Sequence, residues 1–163
     1  MVDMELHEIQ ALLESAIVGR LGMIDTRGRP YTIPLRFVWT GQHLFVRLGH
    51  DGRKGEALEK CKYICFETDD CRNDFSHYAS VVVEGTISDV TDEEEKRAGL
   101  VAFNAKYTRL CGLPNPGDHP VTNGVALRKI LVERMTGRKR EPDQVETTTR
   151  RRMTRGISPA STR

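Results

Sequence analysis

Residues 31–58 read Tyr31-Thr32-Ile33-Pro34-Leu35-Arg36-Phe37-Val38-Trp39, Thr40-Gly41-Gln42, His43-Leu44-Phe45-Val46-Arg47-Leu48, and Gly49-His50-Asp51-Gly52-Arg53-Lys54-Gly55-Glu56-Ala57-Leu58. The first and third pieces are rich in β-branched and aromatic residues, and the glycine-centred second piece is a turn, so the stretch predicts two strands joined in a meander. The fourth piece passes glycines on either side of Arg53-Lys54 and enters a short helix over Gly52 to Lys60. Two cations and unpaired backbone N–H groups at a helix start suit a phosphate. The same pair in isolation reads more readily as a solvated turn, so its surroundings decide.

Upstream, Leu6, Ile9, Leu13 and Ala16 recur at near-helical spacing over residues 4–16, which predicts an amphipathic helix. Ile17 to Ile24 alternates by two and is a strand, ended by the turn Asp25-Thr26-Arg27-Gly28-Arg29-Pro30. Downstream, Tyr63 to Thr68 and Ala79 to Val90 are strands, the second with Gly85 as a bulge or close-approach point. Residues 69–76 read as a loop. Thr91-Asp92-Glu93-Glu94 has the form of a capping box and opens a helix to about Leu110, with Ala98, Val101, Ala102 and Ala105 as its apolar set. A last strand spans Val125 to Met135. Six strands with a helix in front and one before the last strand predict a mainly β fold, a small β-barrel with peripheral helices.

A chain of 163 residues can bury a sizeable core in one domain. Charge divides it: residues 1–136 hold 17 Lys+Arg against 20 Asp+Glu, and residues 137–163 hold 8 against 3. The domain is therefore expected over 1–136, followed by a basic tail over 137–163 with too few apolar residues to offset ordering. No aromatic residue is interleaved with the tail's arginines, so nucleic-acid binding is not expected. No stretch approaches eighteen apolar residues and the acidic start does not resemble a secretory signal, so no membrane span and a cytoplasmic location are expected. Cys61, Cys65, Cys71 and Cys111 are too few and too uneven for a disulfide framework, and with His77 they match no common metal spacing, so no metal site is assigned.

Several pieces in order resemble a known family. Val18-Gly19-Arg20-Leu21-Gly22, Pro34 to Phe37, Leu44-Phe45-Val46 through Gly52-Arg53-Lys54, Cys65-Phe66-Glu67, Cys71, Tyr78, Ser80-Val81 and Gly85 are similar to the FMN-binding split-barrel proteins of the pyridoxamine 5′-phosphate oxidase-like superfamily, and most to its nitroimidazole-resistance (Nim) type. The resemblance covers about residues 4–136. It implies a homodimer with one FMN in each of two interfacial clefts and an FMN-dependent oxidoreductase acting on a small molecule. By position, Pro34, Leu35, Arg36 and Phe37 would run along the flavin ring, Arg47, Leu48 and Gly49 would line it, Arg53 and Lys54 would hold the phosphate, and Tyr78, Ser80 and Val81 would reach it from a later strand.

Two departures bear on activity. Arg47 stands where the Nim pattern commonly has histidine, and Tyr78-Ala79-Ser80-Val81 stands for Tyr-Arg-Ser-Val. Arginine does not titrate near neutral pH, so the position loses an acid/base group. No catalytic residue is identified; His77 and Arg47 are the nearest to candidates. The arginine- and tryptophan-rich C-terminal segment of pyridoxamine 5′-phosphate oxidase itself has no counterpart. The same barrel could instead hold deazaflavin F420 or heme, or serve as a non-catalytic flavin sensor, and fold analogy names neither substrate nor electron donor.

Overall fold

The computed structural model describes residues 1–73, 76–117 and 120–140. Elements follow in the order β1 (Val2–Asp3), α1 (Leu6–Ser15), β2 (Gly19–Ile24), β3 (Pro30–Leu35), β4 (Phe37–Trp39), β5 (Leu44–Arg47), α2 (Gly52–Lys60), β6 (Tyr63–Cys71), β7 (Tyr78–Asp89), α3 (Glu93–Cys111) and β8 (Leu127–Lys139). The strands form one curled antiparallel sheet in the order β3-β2-β6-β7-β8-β5-β4, with β1 on β8. The fold is mainly β with peripheral helices, as the pattern predicted, but the sheet has eight strands rather than the expected six, because β1 was not expected and one expected strand is divided in two.

The predicted single strand from Tyr31 to Trp39 is two. β3 pairs with β2 (Gly19↔Leu35 to Ile24↔Pro30), whereas β4 pairs with β5 (Phe37↔Val46 to Trp39↔Leu44). These are the two ends of the strand order, joined covalently through Arg36. The sheet is curled and left open between these two edge strands, and the opening beside Arg36 is the slit. Gly85 does mark a bulge, with a register shift between Glu84 and Gly85 in the β7–β8 ladder.

Phe37, Val46, Leu21, Phe66, Val81, Val83 and Ile130 are fully buried inside the curl, and α1 and α2 contribute Ile9, Leu12, Leu13 and Ala57, Leu58 to the same core. A second cluster joins α3 to Val38, Phe45 and Leu127. The face of α3 differs from the predicted one: Leu100, Phe103 and Tyr107 are buried, while Ala98 and Ala105 are exposed. Burying a ring or a leucine removes more apolar area from water than burying alanines, so the larger residues set the helix rotation. Its N-cap is Asp92, whose Oδ1 accepts from Glu95 N at 2.7 Å, one residue past the predicted Thr91. Tyr107 ties α3 to the slit: its hydroxyl donates to Ile17 O at 2.6 Å and accepts from Phe37 N at 2.9 Å. Lys106, also buried, donates to Leu13 O at 2.9 Å, and burial lowers its pKa to about 8.

β8 continues through Gly137, Arg138 and Lys139, the first residues assigned to the tail, because Lys139 pairs with both Val2 and Ala79. Residues 141–163 lie outside the described part. No helix among the described residues is long and apolar enough to cross a membrane.

Candidate functional site

The turn before α2 is wound tightly. Gly52 has φ +69°, and a Cβ on Gly55 would lie 1.5 Å from the carbonyl oxygen of His50, so only glycine fits either place without a shift of backbone. The N-cap Asp51 makes no side-chain capping bond and the first turn holds no acid, so no side chain takes up the helix's leading N–H groups. Arg53 and Lys54 stand in that first turn. This donor set fits a phosphate monoester.

Arg53 is positioned by the β2–β3 turn. Its Nη2 donates to Asp25 Oδ2 at 2.8 Å, and its guanidinium lies 4.1 Å from the Tyr31 ring centroid. Asp25 is buried, and its Oδ1 accepts from the N–H groups of Arg29 (2.8 Å) and Arg27 (2.9 Å). The Arg29 N–H, with Arg53 and the Arg27 N–H, holds the Asp25 carboxyl below its usual range against the opposing pull of burial. Asp25, Thr26, Arg27, Arg29, Arg53 and Glu56 line a polar pocket of about 430 Å³. Arg53 keeps donors to spare, since a guanidinium has five. Lys54 is half-buried and has no ion pair among the described residues.

Sequence reasoning treated 25–30 as a turn and so missed Asp25, Arg27 and Arg29. It also missed Arg128, which is 1% exposed beneath the loop carrying His50. Its Nη2 lies 2.8 Å from His50 Nδ1 and its Nε lies 3.0 Å from Asp89 Oδ1. An arginine in the buried register of β8, between Leu127 and Ile130, was the available signal: a buried charge must be paired.

The other expected site residues fall into two groups. Pro34 and Leu35 lie on the open edge of β3, three to four residues from Tyr31, or about 10–14 Å along the strand. Arg36 bridges the slit, and Gly49 sits beside open space. The side chains of Phe37 and Leu48 face the core; the Phe37 N–H is committed to Tyr107 and the Leu48 N–H donates to Ala126 O at 3.3 Å. Arg36 and Arg47 are exposed and face α3. These residues surround one end of the slit.

Tyr78, Ser80, Val81 and His77 are elsewhere. β7 has 12 residues, and the His50 loop that leads into α2 and Arg53 is held at its Asp89 end through Arg128. At roughly 3.3 Å per residue, Tyr78 is about 35 Å of strand away. Val81 is fully buried; Tyr78 and Ser80 are half-buried. His77 Nε2 lies 3.3 Å from Asp70 Oδ2, beside a pocket of about 480 Å³ that includes His7, Glu8 and Lys139. A single chain does not bring His77 to Arg47 or Tyr78 to Lys54. Among the described residues no three His, Cys, Asp or Glu side chains are grouped to hold a metal.

A curled antiparallel sheet left open between its two edge strands, with peripheral helices, is in class a split barrel. The chain belongs to the family described as pyridoxamine 5′-phosphate oxidase, whose model matches residues 5–139. Similar solved structures share the fold. One, from Bacteroides thetaiotaomicron, is provisionally named a 5-nitroimidazole antibiotic resistance protein (24% identity, 83% of this chain and 85% of that one, TM-score 0.69). A FAD-binding protein from Mesorhizobium loti is 21% identical over 86% of this chain and 98% of its own (TM-score 0.66). A FAD and heme binding protein from Mycobacterium smegmatis is 15% identical over 82% and 70% (TM-score 0.64). No curated protein matches the sequence.

Proposed function

We propose that this chain is an FMN-dependent oxidoreductase of the split-barrel class that works as a homodimer on a small molecule. The observation that carries the reading is the α2 start. Gly52 and Gly55 wind the chain so that Arg53 and Lys54 both stand in a first turn whose N–H groups no side chain caps, and the open β3 edge leads from Tyr31, under Arg53, toward Pro34 and Leu35. Lys54 supplies a point charge and Arg53 its remaining donors to the phosphate; the β3 edge supplies backbone groups to the ring. Bound flavin would supply the electron or hydride transfer, while the chain binds, orients and shields it.

An exposed apolar row on the sheet supports the homodimer part of the reading. Tyr63, Thr86 and Leu131 lie in one row across β6, β7 and β8, and Tyr63 (68%) and Leu131 (44%) are exposed on the outer sheet face with Ile24 nearby (41%). A second copy packed on this face about a two-fold axis that crosses the middle of β7 would reverse β7, setting the Tyr78 end of one chain beside the Asp89 end of the other. The two separated groups of candidate residues then complete one cleft.

Absorbance and fluorescence titration test this. Purified protein should bind FMN, and Lys54→Ala should weaken FMN about tenfold or more, the worth of a charge-assisted contact, while changing riboflavin less than about twofold. Equal losses for both ligands would remove Lys54 from the phosphate. A colourless protein that stays colourless with FMN would refute the assignment, and a deazaflavin or heme spectrum would replace it.

A further inference from the structure

Arg36 and Arg47 form a pair that the phosphate site does not use. The β4–β5 ladder runs Trp39↔Leu44, Val38↔Phe45, Phe37↔Val46, so the next position in that register sets Arg36 opposite Arg47. Both have buried neighbours in the strand direction, Phe37 on one side and Val46 and Leu48 on the other, so both side chains point to the outer face. Like charges directly opposite each other repel. No acidic side chain pairs with either among the described residues. Instead their guanidinium groups lie over α3 rings: Arg36 at 5.2 Å from the Tyr107 centroid and 5.7 Å from Phe103, and Arg47 at 6.0 Å from Phe103.

These four residues, with Asn104 and the Leu113–Pro116 segment, line a pocket of about 410 Å³, within the range of small-molecule sites. None of its lining residues is Asp or Glu. One wall is two planar guanidinium forks and much of the rest is ring, leucine and proline surface. That combination accepts a planar carboxylate attached to an apolar body: the forks match its two oxygens and the body displaces water from the apolar wall. We infer that the Arg36–Arg47 pocket is a subsite for a small aromatic carboxylate, and, resting on the flavin reading above, that this is the substrate class of the adjoining cleft.

Benzoate is the probe, benzamide its neutral isostere, and inorganic phosphate the control anion, each titrated calorimetrically into the full chain with and without FMN. Benzoate should bind at least about tenfold more tightly than benzamide, and R36Q and R47Q should each weaken benzoate about tenfold, the cost of one charge-assisted pair. R134Q, an exposed arginine on β8 outside both sites, should leave benzoate affinity unchanged, and R36K with R47K should recover only part of it, because lysine keeps the charge but not the fork. Benzoate no tighter than benzamide, phosphate as tight as benzoate, or unchanged benzoate affinity in both glutamine variants would overturn the subsite. If R36Q and R47Q weaken FMN and not benzoate, the arginines belong to the cofactor and the inference falls while the flavin reading stands. Benzoate binding in a chain that takes no flavin would uphold the subsite and remove only its assignment as substrate pocket.

Discussion

The two ends of β7 are built differently. At the Asp89 end, charge is organised from the core outward: Arg128 is buried against His50 and Asp89, and Asp25 is buried against two N–H groups and Arg53. At the Tyr78 end the charged contacts lie at the surface, as in the exposed pair His77–Asp70 and in Arg20, which donates to Glu67 and Asp69. Buried polar groups held by hydrogen bonds and ion pairs keep a geometry rigidly, whereas exposed pairs contribute little and can be rearranged. The Asp89 end is thus preformed in one chain, and the Tyr78 end is the one suited to being completed by a neighbour.

The severest way to break this contrast is Gly55→Ala. Its Cβ would meet the His50 carbonyl at 1.5 Å, so unfolding free energy from urea denaturation should fall by about 3 kcal/mol or more. Gly49→Ala, which meets nothing within 4 Å, should change it by less than about 1 kcal/mol. A mild Gly55 phenotype would mean that the turn is not locked. Next, Arg128→Met, which retains much of the volume but loses the contacts to His50 and Asp89, should cost about 2 kcal/mol. His77→Ala at the other end should cost under about 0.5 kcal/mol, and comparable losses would erase the distinction.

Dimerisation sharpens the comparison further. Tyr63→Glu should raise the dimer dissociation constant at least about tenfold in sedimentation experiments, and should weaken FMN in parallel. A monomeric variant with unimpaired FMN binding would show that the Tyr78 end takes no part in the site. The smallest effect concerns pH. The folded-state pKa of Asp25 lies below its ordinary value of 3.8, so its contribution to stability is present above that value and lost as pH falls through the lower folded one. Asp25→Asn should therefore flatten the acid limb of the stability curve below about pH 4 and leave its shape above that unchanged. An identical acid limb in both proteins would show that Asp25 is not held by these contacts.

Much of this was legible along the chain. Alternating runs located the strands because one face of each is buried, and the glycines around Arg53-Lys54 marked the tight turn because no other residue fits there. What misled was partnership. Tyr31 to Trp39 is one continuous β-forming run, yet it breaks at Arg36, since β3 finds its ladder on β2 and β4 on β5. Ala98 and Ala105 fit a helical stripe but lost to Leu100, Phe103 and Tyr107. Arg128 looked like an ordinary strand residue until the loop carrying His50 was folded over it.

Local pattern thus determined on its own that the chain is a β-meander with flanking helices and a basic glycine turn, because period, turn chemistry and charge are properties of neighbours in sequence. Only the tertiary structure decided that Asp25 orients Arg53, that Arg36 faces Arg47, and that Tyr78 stands a full strand length from Lys54. Those relations depend on register and on the curl of the sheet, which bring together or keep apart residues dozens of positions distant.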